Sequence, residues 1–214
     1  MSWIAFKRRE VLELTVSWVA LSASFSMGAL RTIAFFRPPG YPYLMLSTFL
    51  QYLFLIGLAF IPHELAHKLT AQRMGYLASF RLWPWGLAMA VLTGFLTGGM
   101  FVMAAPGAVY ILPLAAIVSR RFVPDRRVNG LIALAGPSAN MALAVAFALL
   151  RIPFGAPILS AGLRVNLYLT LFNMLPLPML DGLKVFSWNK PVWALMTVTP
   201  AVWLAFLTGF LRIG

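Results

Sequence analysis

The stretch Leu46–Ala71, LSTFLQYLFLIGLAFIPHELAHKLTA, decides how the rest of the chain is read. It carries no charged side chain from Leu46 to Pro62, then sets His63, Glu64, His67 and Lys68 close together. A run this long and apolar meets the requirement of about 20 residues for a membrane-spanning helix. Residues four apart share a helix face, so His63 and His67 can reach one metal ion while Glu64 can reach a water beside it. Ionisable side chains inside a span are costly, and function is the default reason for keeping them. These are also the only two histidines in the chain.

Composition agrees with a membrane setting. Hydrophobic residues make up 61% of the 214 and charged residues 10%, where a soluble domain carries roughly 25% charged. The net charge of +12 invites a nucleic-acid reading, but the basic residues sit in short clusters between apolar runs, which is the pattern of membrane topology. No nucleic-acid partner is expected. The absence of cysteine leaves only nitrogen and oxygen donors for a metal, which makes zinc the expected cofactor, one ion per chain.

Span-length reading places helices near 14–35, 46–70, 131–150, 163–183 and 191–211. The first follows Lys7-Arg8-Arg9 and runs apolar to Phe36, longer than the core of a cleaved signal, so a retained anchor is expected. With the N-terminus in the cytoplasm, 12 of the 17 Lys and Arg fall on the inner side, which sets the expected orientation in a multi-pass cell-membrane protein. The same rule puts both flanks of Leu82–Ser119 inside. That segment is too short for two comfortable spans and is broken by Pro84, Gly94, Gly98-Gly99, Pro106-Gly107 and Pro113. A re-entrant hairpin or short strands are expected, with two short tilted helices as the other possibility. The tryptophans at 83, 85, 188, 193 and 203 suit interfacial belts, and Gly130, Ala133 and Gly136 suit close helix packing.

A catalytic zinc takes three protein ligands, and the third emerges by elimination. No histidine follows His67 and no glutamate follows Glu64, so only Asp125 and Asp181 remain as acids beyond the motif. Asp125 lies in an arginine-rich stretch, where solvated surface pairs are expected. Asp181 ends an apolar run, where a metal would keep its carboxylate ionised. Depth agrees: His63 lies about 25 Å along a helix begun at Leu46, and Asp181 about 27 Å along one begun at Leu163.

Asp181 closes a second pattern, Asn173-Met174-Leu175-Pro176-Leu177-Pro178-Met179-Leu180-Asp181-Gly182. Its prolines must interrupt a helix and free backbone carbonyls. Between the two patterns stands Gly136-Pro137-Ser138-Ala139-Asn140. Together the HExxH string, the Gly-Pro-x-x-Asn element and the NxxPxPxLDG string resemble the site-2 protease family of intramembrane zinc metalloproteases, over about residues 46–185. The resemblance implies a single, mainly α-helical transmembrane protease domain of five to six spans, with 14–35 and 191–211 as peripheral helices. It implies zinc on His63, His67 and Asp181, Glu64 as acid/base, and Asn173 and Asn140 as groups that bind the substrate backbone or its oxyanion. It also implies a membrane-associated β hairpin or small sheet over Leu82–Ile111, and transmembrane proteins as substrates within the lipid bilayer. The chain has no room for the PDZ or CBS domains that many members carry. A non-catalytic binder of membrane segments and a metal transporter are the other readings; substrate identity and oligomeric state stay open.

Overall fold

Helix ends in this chain are marked by the residues that cannot continue a helix. Helix α1, Arg8–Phe36, stops at Arg37 in the left-handed region, just before Pro38 and Pro39. Helix α2, Tyr41–Arg73, runs through Pro62 without ending. Gly75, at φ +82°, then turns the chain into strand β1, Tyr76–Leu82. Helix α3, Pro84–Thr97, begins on proline and ends on Gly98 in the left-handed region. Strand β2, Gly107–Pro113, follows. The computed structural model describes residues 6–113 and 125–209.

Beyond β2 lie α4, Arg126–Phe154; α5, Pro157–Asn173; α6, Asp181–Trp188; and α7, Lys190–Leu207. Asp125 is exposed and caps α4, accepting the Arg127 N–H at 3.3 Å. Among the described residues four helices, α1, α2, α4 and α7, are long and apolar enough to cross a membrane. The chain is thus an α-helical membrane protein with one small sheet, in which β1 pairs with β2.

Two departures from the sequence reading have plain causes. The run 163–183 is not one span: α5 ends at Asn173 and α6 starts at Asp181, because Pro176 and Pro178 cannot donate the helical bonds of that turn. The broken segment after Leu82 contains a 14-residue helix between its strands. Pro84 suits a first helical position, and the apolar run behind it carries only two glycines, Gly86 in its first turn and Gly94, so the helix survives until Gly98-Gly99. Residues 114–119 of that segment lie outside the described ones.

The chain divides into two units, Phe6–Ile61 with Phe80–Ala108, and Pro62–Ser79 with Val109–Gly214. In the first, α1 packs on α3. The approach is close enough that a Cβ on Gly94 would sit 2.7 Å from the Ser24 Cβ and 2.8 Å from its carbonyl oxygen. Trp18 donates its indole N–H to the Leu53 carbonyl at 2.7 Å, linking α1 to the first part of α2. Glu10 and Glu13 accept the N–H groups of Phe80 and Leu82, each at 3.0 Å, so the outer edge of late β1 is hydrogen-bonded by α1. In the second unit α4 packs on α5 and α6, and α7 on α5 and α6. Ala133, Met174 and Val185 form a buried cluster there, against Leu134, Val192, Trp193 and Met196. Trp193 donates to the Met174 carbonyl at 2.7 Å, and Trp188 lies over Gly130, so these two tryptophans serve packing within the protein.

Substituting Gly94→Val should overpack the α1–α3 contact and destabilise the protein by about 1–3 kcal/mol, read as a lowered melting temperature in detergent. An unchanged melting temperature would mean that the two helices do not meet at this register.

Candidate metal centre

The residues singled out at HELAH and at Asp181 meet in the second unit. One helical turn of α2 carries His63 and His67, both buried, with their Nε2 atoms 3.0 Å apart. Asp181, the first residue of α6, brings Oδ2 to 3.4 Å from His63 Nε2 and 3.0 Å from His67 Nε2. Ligand atoms about 2.0–2.1 Å from a tetrahedral zinc stand roughly 3.3 Å from one another, which these separations match.

The hydrogen bonds on the far side of each ring decide what those atoms are. His63 Nδ1 faces Asn140 Oδ1 at 2.5 Å, and His67 Nδ1 faces the Ile132 carbonyl at 2.7 Å. Neither oxygen can donate, so both Nδ1 atoms carry a proton, and in the neutral rings that metal binding requires both Nε2 atoms present lone pairs. Two lone pairs and a carboxylate oxygen directed at one point repel unless a cation lies between them. His63, His67 and Asp181 thus form a buried group that can hold one metal ion, and a donor set of two imidazoles and one carboxylate suits zinc.

Two glycines make the geometry possible. A Cβ on Gly136 would sit 2.6 Å from His63 Nε2 and closer still to His67 Nε2, so a side chain there would crowd both ring nitrogens. Its role is to keep that space open, beyond the helix packing expected from sequence. A Cβ on Gly182 would strike the Met174 carbonyl and lie 2.5 Å from the Leu175 carbonyl oxygen. Only glycine lets the first turn of α6 rest on that backbone and deliver Asp181. The loop between α5 and α6 makes hydrogen bonds of its own. Leu177 donates to Leu175 O at 2.8 Å and Leu180 to Leu177 O at 3.2 Å, while Pro176 and Pro178 have no N–H to satisfy. Met179, at φ +76°, takes the turn position after Pro178 that favours glycine.

Glu64 is buried beside His63, and its Oε2 has no hydrogen-bond partner among the described residues. His63, Asp181 and Lys184 are titratable neighbours of Glu64. Asp181 directs its second oxygen, Oδ1, to Lys184 Nζ at 3.6 Å. Asn140 is fully buried with both amide atoms engaged, Oδ1 on His63 and Nδ2 on Asn166 Oδ1 at 2.9 Å. Asn173, the last residue of α5, is half-buried and donates to the Leu169 carbonyl at 3.0 Å. Sequence reasoning passed over Ile132, Asn166 and Lys184. An asparagine in an apolar helix is a signal that could have pointed to Asn166, and the i, i+3 spacing from Asp181 a signal for Lys184. A helix carbonyl such as that of Ile132 has none.

No family model matches the chain, and no solved structure matches it significantly. Two relatives do, MJ0611 of Methanocaldococcus jannaschii and YwhC of Bacillus subtilis, both named as inferred zinc metalloproteases. MJ0611 is 36% identical over 92% of this chain and 93% of its own length. YwhC is 31% identical over 60% of this chain and 64% of its own. The metal is zinc. Gly136→Ala should weaken zinc binding by at least roughly 100-fold in a folded protein, since the added methyl crowds both ring nitrogens; a chelator competition that finds wild-type affinity would rule out this geometry. Sharing over a third of its residues with MJ0611 along nearly their full lengths, and holding a buried His63-His67-Asp181 site, the chain belongs to this family of zinc metalloproteases.

Proposed function

We propose that the chain is an intramembrane protease of the site-2 type, hydrolysing peptide bonds in or near transmembrane segments of other membrane proteins. The observation that carries this reading is the place of the metal ligands: His63 and His67 lie on α2, a 33-residue helix that is long and apolar enough to cross a membrane. A metalloprotease acting on soluble chains has no need of such a position. With the N-terminus in the cytoplasm and the spans as expected from the sequence, 12 of the 17 Lys and Arg fall on the inner side, which supports an active site toward the cytoplasmic half of a cell membrane.

In this reading His63, His67 and Asp181 hold the zinc, which when bound polarises the scissile carbonyl and acidifies water. Glu64 Oε2 takes a proton from the attacking water as its oxygen bonds to the carbonyl carbon. The same oxygen returns the proton to the peptide nitrogen as the C–N bond breaks, leaving a carboxylate and an amine. Burial without a hydrogen-bond partner suits a group that must accept and release a proton in turn. Asn173 Nδ2 exchanges its bond to Leu169 for one to the developing oxyanion, a donor role open to an amide at the end of α5.

A helical peptide bond is covered by its own hydrogen bonds, so the substrate must unwind, and an unwound segment in lipid needs new partners for its N–H and C=O groups. The two-stranded sheet supplies them by strand addition. Glu10 and Glu13 already occupy the outer N–H groups of late β1, which favours β2 as the receiving edge. Trp83 donates to the Pro106 carbonyl at 2.8 Å, and strand alternation from that bond turns the N–H groups of Val109 and Ile111 away from β1.

Glu64→Gln should keep its zinc and cleave a reconstituted transmembrane substrate at least about 100-fold more slowly. Undiminished cleavage by that variant would exclude Glu64 as the acid/base. A zinc-loaded wild-type protein that cuts soluble peptides but no membrane-embedded one would overturn the intramembrane reading. Val109→Pro and Ile111→Pro should each slow cleavage roughly tenfold or more by removing an edge donor worth about 1.5 kcal/mol, with zinc content unchanged. Equal rates would reject β2 as the edge used.

A further inference from the structure

We propose that Asn166 is a positioning residue for the metal centre, acting through Asn140 to set which nitrogen of His63 faces the metal. The inference rests on the metal site and not on peptide hydrolysis, so it stands or falls separately from the proposed function.

Asn166 lies in α5 and is fully buried. Its Nδ2 donates to the Gly162 carbonyl at 2.9 Å. Its Oδ1 accepts from Asn140 Nδ2 at 2.9 Å. Asn140 Oδ1 in turn accepts from His63 Nδ1. Each link in this row has a direction, and the direction is set at its far end. A backbone carbonyl can only accept, so Asn166 must turn its NH2 toward Gly162 and its oxygen toward Asn140. Asn140 must then turn its NH2 toward Asn166 and its oxygen toward His63. His63 is left to protonate Nδ1 and to leave Nε2 bare. The carbonyl of Gly162 on one helix thereby dictates the tautomer of a metal ligand on another.

Simple helix-to-helix adhesion would not require this polarity. An α4–α5 amide pair holds equally well with both amides flipped, whereas only one sense leaves His63 ready for zinc. The two helices also meet beside the amides through a bond that touches neither amide side chain. Thr170, itself buried, donates to the Asn166 backbone carbonyl at 2.9 Å and reaches the Pro137 carbonyl at 3.5 Å, so α5 is anchored to α4 beside the row. Thr170 takes part in packing but not in the row, which makes it the natural control.

The test is zinc affinity by chelator competition on the purified full chain in detergent, read beside melting temperature. Asn166→Ala should weaken zinc roughly 10- to 100-fold, as expected for a group behind a metal ligand. The double variant Asn166→Ala with Asn140→Ala should be no weaker than Asn140→Ala alone, because the two act in series. Thr170→Val should lower the melting temperature while holding zinc within about twofold. Independent, multiplying losses for the two asparagines, or an Asn166→Ala protein that melts early yet binds zinc as the wild type does, would overturn the proposal. Should Asn166→Ala fail to fold, nitrogen-15 NMR of the imidazoles decides the matter in the wild-type chain, which has only two histidines. Both rings protonated at Nδ1 in the metal-free protein is the expected result, and an Nε2-protonated His63 would reject it.

Discussion

Three electron-pair donors, His63 Nε2, His67 Nε2 and Asp181 Oδ2, point at one another from within 3.4 Å, in a setting with little water to screen them. Such an arrangement is repulsive alone and favourable around a dication, and the low dielectric of the interior magnifies both signs. Metal binding and the folding of this unit are therefore coupled. Much of the second unit can be understood as the scaffold that holds the donors in place. Asn140 and the Ile132 carbonyl fix the two rings from behind, and Lys184 draws off the other oxygen of Asp181.

The scaffold works as much by leaving atoms out as by putting them in. Gly136 withholds a carbon that would crowd both Nε2 atoms, and Gly182 lets a helix start against a carbonyl. Pro176 and Pro178 end a helix within a membrane protein without creating N–H groups that would need partners there. Asp181 then opens α6, whose N-terminal dipole favours a carboxylate at that point. These choices depend on the apolar surroundings, since in water each missing hydrogen bond would be replaced at little cost.

In the first unit the same economy governs the sheet. The two carboxylates Glu10 and Glu13, one turn apart on α1, meet alternate N–H groups of β1. Helix period and strand period coincide there, so a single helix face serves as the missing neighbour strand. A sheet of only two strands in a membrane protein needs such cover, because every open edge is a row of unsatisfied polar groups.

The membrane class, the helical nature of the fold and the three residues that the structure groups as candidate ligands were readable from the chain alone, because each follows from local pattern or from scarcity. Apolar runs have a required length, two histidines four apart share a face, and one acid in an apolar run had no other good explanation. The interruption at Pro176 and Pro178 was equally plain, since proline lacks the donor that a helix needs. Helix α3 was obscured by the glycines and prolines around it, whose effect depends on where they fall relative to a helix end. Asn140 entered through the resemblance, as a group toward the substrate, and its bonds to His63 and Asn166 were not legible, because they join residues 77 and 26 positions apart. Which nitrogen faces the metal, why residue 136 must lack a side chain, and which carbonyl holds His67 were decided only by tertiary structure. Each is a property of atoms brought together from different helices, and sequence specifies such meetings only through the energy of the whole fold.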